Sequence, residues 1–444
     1  MLDAPSWWWA DLGGLPAPRP ALDGDREADV CIVGAGYTGL WTAYELRRAD
    51  PSLEVVVLER EVAGFGASGR NGGWVLGEIS TGTQMRAAAG EQAIEALQRA
   101  ARETVDEVGE ACAREGIECD FVKGGSLTVA QTAPQLERLE KTGRGELLDA
   151  EQAAARVNVA GVRGARFTPH CARVQPAKLA RGLAETVEGH GATIYERSPA
   201  TRIEPGKVTT PRGAVTARWV VRATEGYTGA LPDLHRALLP LSSSMIVTEP
   251  LDAATWAQIG WEGRETIDDA AHHYCYLQRT ADDRIAIGGR GRPYRFGSAT
   301  DRAGEIPDAT VQQLKGRLAR LFPILRDVRL DGAWTGVFGV ARDWAAAVHC
   351  DRDSGLCWAG GYAGEGVAAA NLAARTLRDL ILGRDTELTR LPWVAHRAPD
   401  WEPEPLRWLA VQAVYGALRA ADAIEDRTGR PSRLARAAAA LSGR

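Results

Sequence analysis

The chain has 444 residues, 45% of them hydrophobic and 25% charged, with a formal net charge of -5. That length exceeds one simple core and predicts two domains, while the interspersed and slightly acidic charge leaves no basic stripe for nucleic acid. No apolar run reaches the roughly eighteen residues of a membrane span, and seven irregularly spaced cysteines without a CxxC pair predict neither a disulfide framework nor a zinc site.

The N-terminal stretch "MLDAPSWWWADLGG" has no basic segment followed by an apolar one, so it does not read as a secretory leader, and a cytoplasmic protein is expected. No basic or apolar helix accompanies Trp7, Trp8 and Trp9, so they are expected to pack an N-terminal arm onto the body. From Asp29 the pattern sharpens. Val30 to Val33 read as a buried strand, with Cys31 in the core, and Gly34, Gly36 and Gly39 follow in GxGxxG spacing. A helix continues through Leu40, Ala43, Tyr44 and Leu46 and ends near Pro51; a second strand, Val55 to Leu58, closes on Glu59.

Each part of that unit has a physical task. Gly34 permits the tight turn, Gly36 admits a pyrophosphate to the backbone, and Gly39 lets the helix approach the sheet. The helix start, with Ala35, Tyr37 and Thr38, offers N–H groups and partial positive charge to phosphates. Glu59, followed by Arg60, would accept both hydroxyls of an adenosine ribose. A 2′-phosphate there would meet a like charge at roughly 4 kcal/mol per pair in a moderately polar setting, which disfavours NADP.

Next comes "GFGASGRNGGW", Gly64 to Trp74, with Gly66, Ala67, Ser68, Arg70, Asn71, Gly72 and Gly73 as candidate cofactor contacts. Beyond it the pattern predicts a helical stretch over 84–115, strands at Phe121–Val122 and Ser126–Ala130, and a helix from Pro176 to Gly191. Three strands then lead to Ala223 and Thr224. "HHYCYLQRTADDRIAIGGRG" reads as a hairpin turning around Ala281–Asp283, with Tyr274 and Tyr276 on one face and His273 and Cys275 on the other. Residues 356–383 repeat the strand, glycine turn and helix pattern. Ala369, Ala370 and Ala373 suit close packing there, and Arg375, Arg378 and Asp379 a solvated side. Two glycine-lined helix starts predict a clamp for a flavin dinucleotide, the second placing its positive end near the flavin pyrimidine.

Taken together, "DVCIVGAGYTGL", Glu59, "GASGRNGG", "VQPAKLARGLAE", "VVRATEGYTGALP", "IVTEPL", "IAIGGRGRPY", "WTGVFGVARD" and "GGYAGEGV" resemble the D-amino-acid oxidase/glycine oxidase/sarcosine oxidase superfamily of FAD-dependent amine oxidoreductases. They are especially similar to its gamma-glutamylputrescine oxidoreductase-like branch. The resemblance implies an α/β fold: a Rossmann-like FAD-binding domain of the GR2 flavoprotein type, an antiparallel-sheet substrate-binding domain and a helical C-terminal extension. It divides the chain into an arm (1–28), a discontinuous FAD-binding domain (29–83, 172–230 and 331–385), a substrate-binding domain (84–171 and 231–330) and the extension (386–444). It also extends the cofactor contacts to Val174, Ala223, Thr224, Gly336, Gly361, Gly364, Glu365, Gly366 and Val367.

The reaction implied removes hydride from the carbon beside a small substrate's amine to flavin N5. The imine then hydrolyses, and oxygen or another acceptor reoxidises the flavin. No metal is called for. Substrate contacts are expected from Tyr274, Tyr276, Arg290 and His273, with Arg292, Tyr294 and His272 nearby; an Arg there would bind a carboxylate through two parallel hydrogen bonds. Three departures from the family pattern matter. Gly336 stands where the monomeric sarcosine oxidase type attaches flavin through Cys, so FAD is expected to be non-covalent. Ala368 and Glu365 replace residues tied to oxygen activation, which leaves oxidase and dehydrogenase both open. Glu225 stands where relatives often have Asn; buried beside the flavin, Glu225 and Glu365 would select a cationic amine. The competing readings are a redox-silent or structural FAD-binding protein, a flavin monooxygenase and an NAD-dependent dehydrogenase.

Overall fold

The computed structural model describes residues 4–143, 145–291, 293–300, 304 and 306–442. Strand Arg26–Val33 ends in four buried residues, Val30 to Val33, as expected where a strand is covered on both faces. It pairs in parallel with Val55–Leu58 and with Gly213–Arg222. Thr193–Tyr195 extends this sheet beyond Val55–Leu58; Leu356–Gly360 and then Ala347–Cys350 extend it beyond Gly213–Arg222. Parallel neighbours need crossovers, and helices Tyr37–Ala49 and Pro176–Gly189 supply two of them. The opposite face carries a smaller apolar layer of Leu22, Cys31, Val56 and Val215 under the hairpin strands Arg202–Glu204 and Lys207–Thr210.

Ala369, Ala370 and Ala373 are buried where helix Gly366–Ile381 crosses Tyr37–Ala49, as their size predicts. Asp379 departs from expectation. It is 1% exposed and joins Arg378 and Thr386 in a polar network that also takes in Glu45, so this side of the helix is covered.

The second sheet runs Leu330–Val340, Leu239–Thr248, Ile285–Gly289, Cys275–Arg279, Thr266–Asp269, Ser126–Ala130, Gly164–Thr168, Glu146–Asp149. All its pairs are antiparallel except Thr266–Asp269 with Ser126–Ala130. The hairpin turns at the predicted place. Two segments pack differently from the expected division. Leu330–Val340 pairs with Leu239–Thr248 along its length, which places it in the second sheet and not with 331–385. Helix Glu91–Glu115 buries Leu97, Ala101, Val105 and Val108 in the first core, because its amphipathic face meets helix Gly366–Ile381. Phe121–Val122 makes only an isolated bridge, Val122 to Arg173. Cys350 and Cys357, directly opposite in the antiparallel edge pair, form a disulfide that their spacing alone did not suggest.

Helices Leu406–Thr428 and Arg433–Ser442 form the C-terminal extension. The tryptophan triplet packs as expected: Trp7, Trp8 and Trp9 are 6%, 1% and 1% exposed, against Met245 and Trp334. No helix among the described residues is long and apolar enough to cross a membrane.

Candidate cofactor and substrate site

A cavity of about 520 Å³ lies between the two sheets, and its walls come from both. At one end is the glycine fingerprint. Gly34 has φ +105°, and a Cβ there would stand 2.6 Å from the Ala223 carbonyl oxygen. A Cβ on Gly39 would lie 1.9 Å from the carbonyl oxygen of Gly34, so the helix can approach the turn only without a side chain. Gly36 faces the cavity beside Ser68 Oγ, which accepts the Tyr37 N–H at 2.8 Å. Glu59 accepts the N–H groups of Ala35 and Glu61 at 2.8 and 2.9 Å, and burial pushes its pKa up. A carboxylate accepts about four hydrogen bonds, so ribose hydroxyls can still be received.

The loop 66–73 forms the middle wall, and donors behind it hold its carbonyls. Ser6 Oγ donates to Gly69 O at 2.6 Å, Trp334 Nε1 to Arg70 O at 2.9 Å, Trp8 Nε1 to Asn71 O at 2.8 Å and Gln278 Nε2 to Gly72 O at 2.7 Å. Asn71 braces its own turn, donating to Ser68 O and accepting from Gly73 N. Arg70, 2% exposed, donates to Phe65 O at 2.9 Å and lies 4.6 Å from that ring's centroid.

The protein itself closes on three of the loop's glycines. A Cβ on Gly69 would meet Trp9 Nε1 at 2.3 Å, one on Gly72 would meet Tyr276 at 2.6 Å, and one on Gly73 would meet Gln278 Nε2 at 2.1 Å. At these positions a side chain has no room on the protein side of the loop.

The far wall carries the second glycine turn, with Gly364, Glu365, Gly366 and Val367 all on the cavity and Tyr362 Oη 3.0 Å from Thr38 Oγ1. Glu225 is anchored between this turn and the second sheet, accepting Gly339 N–H at 2.6 Å and Tyr362 N–H at 3.1 Å. Each oxygen takes one backbone N–H, as in Glu59, so Glu225 keeps acceptor capacity towards the cavity that it lines. Burial raises its pKa from an ordinary 4.5 to about 7. The stability tied to that proton is complete below about pH 4.5 and is lost as pH rises through about 7. Glu225→Gln removes one acceptor oxygen, and should lower stability by about 1–3 kcal/mol. The deficit should be largest in acid and narrow towards alkaline pH, as melting temperatures across that range will show.

The substrate face belongs to the second sheet. Tyr276 lies across Gly288, whose absent Cβ would fall 2.2 Å from the ring, and reaches Ser243 Oγ at 2.8 Å. Arg290 is 5% exposed and lines the cavity; its guanidinium is 3.5 Å from Tyr274 Oη and 4.3 Å from the Phe338 ring centroid. No carboxylate pairs with it among the described residues. Asp268, Glu78, Trp74, Tyr227 and Phe338 also line the cavity and were not singled out from the sequence.

Several expected contacts lie elsewhere. His273 points to the opposite face, its ring 6.4 Å from that of Tyr415 and its backbone N–H on Asp422; burial holds its pKa down to about 4. His272 is tied to Arg138 and Glu425. His272, Asp422 and Glu425 have ligand atoms within 4.8 Å of one another, yet Asp422 accepts the His272 and His273 N–H groups, and Glu425 accepts Arg138 and the Ser432 N–H. Tyr294 donates to Glu404 of the extension. Arg292 lies outside the described residues. Ala35, Gly39, Gly73, Val174 and Gly361 stand behind the cavity wall, while the remaining predicted cofactor contacts, Gly66, Ala67, Thr224 and Gly336 among them, line it.

These residues fit an FAD. A helix start has its glycines held open, an acid is placed for ribose, and a long cavity leads to a second helix start.

The family model described as DAO, FAD dependent oxidoreductase, matches residues 29–380. Gamma-glutamylputrescine oxidoreductase of Escherichia coli (strain K12) is 31% identical over 437 residues, covering 94% of this chain and 99% of that protein. Among solved structures, glycine oxidase from Geobacillus kaustophilus superposes with a TM-score of 0.70 at 21% identity, covering 84% of this chain and 99% of that one. L-proline dehydrogenase from P. horikoshii superposes with a TM-score of 0.66 at 19% identity, covering 82% and 96%.

Proposed function

Because the chain belongs to the DAO family of FAD dependent oxidoreductases, we propose that its cavity oxidises the C–N bond of a small amine or amino acid carrying a carboxylate. The observation that carries this reading is Arg290: a buried guanidinium, without an anionic partner among the described residues, in the cavity that also bears the glycine fingerprint. A fixed, desolvated guanidinium binds a carboxylate through two parallel hydrogen bonds and so orients the rest of the molecule. The relatives support the reaction class, one being a gamma-glutamylputrescine oxidoreductase and another a glycine oxidase.

Bound FAD supplies the two-electron acceptor. The fingerprint residues Gly34, Gly36, Tyr37 and Thr38 would hold its pyrophosphate, Glu59 its ribose, and the 66–73 loop with Gly364–Val367 its ring system. Tyr276, fixed by Ser243, and Tyr274, beside Arg290, close the substrate space against water. The amine must be neutral when its carbon loses hydride, so kcat/KM should rise with pH. Reoxidation by oxygen or another acceptor completes the cycle, in the cytoplasm. Trapping the carbonyl product after incubation with amines and amino acids tests this directly. One carbonyl per two electrons is expected, and its absence with every amine would favour a redox-silent flavoprotein.

A further inference from the structure

Two carboxylates that line the cavity have no counter-charge among the described residues. Asp268 is in register with Thr128 on one neighbouring strand and Tyr276 on the other, so the three side chains share the face of the sheet that borders the cavity. Its Oδ1 is shielded from solvent and has no hydrogen-bond partner among the described residues. Glu78, in the turn after strand Trp74–Leu76, lines the same cavity. Burial pushes the Asp268 pKa up to about 7, and the nearby charges of Asp269 and Glu78 push the same way. Among the described residues neither Asp268 nor Glu78 forms an ion pair with Arg, Lys or His.

A shielded carboxylate oxygen with nothing to accept is costly. The arrangement makes sense if a donor arrives with the substrate. Arg290, buried on the same wall, is an independent sign that this part of the cavity receives a charged ligand. The two charge sites are distinct. Asp268 stands two strand spacings, roughly 10 Å, from Gly288, and Arg290 lies two residues further along that strand.

We infer that Asp268 and Glu78 recognise a second, non-reacting ammonium group on the substrate, so that the enzyme prefers diamine-derived amines and basic amino acids to amines with neutral tails. This rests on the reading of the cavity as an amine-oxidising site. Asp268 supplies the shielded acceptor oxygen, and Glu78 adds negative charge from the facing turn.

The test is calorimetric titration of the FAD-loaded protein, without turnover, using straight-chain α,ω-alkanediamines and n-alkylamines of matched length. The expected result is that at least one diamine binds roughly tenfold tighter than its matched monoamine, and that the Asp268→Asn/Glu78→Gln double variant loses this preference while monoamine affinity changes less than about threefold. Equal affinity for every matched pair in the unaltered protein would overturn the inference without any variant, and so would a preference that survives the double substitution. Binding is read apart from chemistry. A diamine preference in a protein whose flavin no amine reduces would support the cation site while overturning the oxidation reading.

Discussion

Arg290→Ala should lower kcat/KM for a carboxylate-bearing amine about 100- to 1000-fold, equivalent to roughly 2.7–4.1 kcal/mol, and leave FAD bound. The guanidinium is desolvated and rests between the Tyr274 hydroxyl and the Phe338 ring, so its lost partner cannot be replaced by water at comparable strength. Arg290→Lys keeps the charge but not the planar fork, and should recover only part of the loss. An amine without a carboxylate serves as the control, and its kcat/KM should change little. Steady-state kinetics on the two substrate types make the comparison; equal losses on both would assign Arg290 to the architecture instead of the substrate.

Trp8→Ala carries the second large effect, and it is felt away from the substrate. Trp8 is 1% exposed, packs edge-on to Trp7 and Trp334, and donates to the carbonyl of Asn71 in the cofactor loop. Removing a buried indole should cost about 3–5 kcal/mol of stability, seen as a lower melting temperature. Trp8→Phe retains most of the packing and deletes the hydrogen bond. FAD affinity in that variant should fall about threefold to tenfold, the worth of one buried hydrogen bond. Unchanged FAD affinity in Trp8→Phe would mean that the arm supports the fold and not the loop.

The parts of the site set by local geometry were readable in the sequence. Gly34, Gly36 and Gly39 answer to a turn a few residues long, and Glu59 follows from the length of one strand-helix-strand unit. Alternation along the hairpin was enough to direct Tyr274 and Tyr276 towards the cavity and His273 away from it; naming His273 as a substrate contact went against that alternation. Long-range packing was not readable. Gly69 lacks a side chain because Trp9, sixty residues earlier in the chain, fills the space. The donor that anchors Glu225 comes from the glycine turn near residue 362, far along the chain. Asp268 becomes part of the site only through its register with Tyr276, and Leu330–Val340 joins the second sheet because Leu239–Thr248 offers it a full-length partner.

The most direct measurement is the visible spectrum of the purified protein, recorded without oxygen before and after a panel of amines and amino acids is added. The account predicts a flavin absorbance band that bleaches with at least one member of the panel. A protein with no flavin band, even after incubation with FAD, would contradict it.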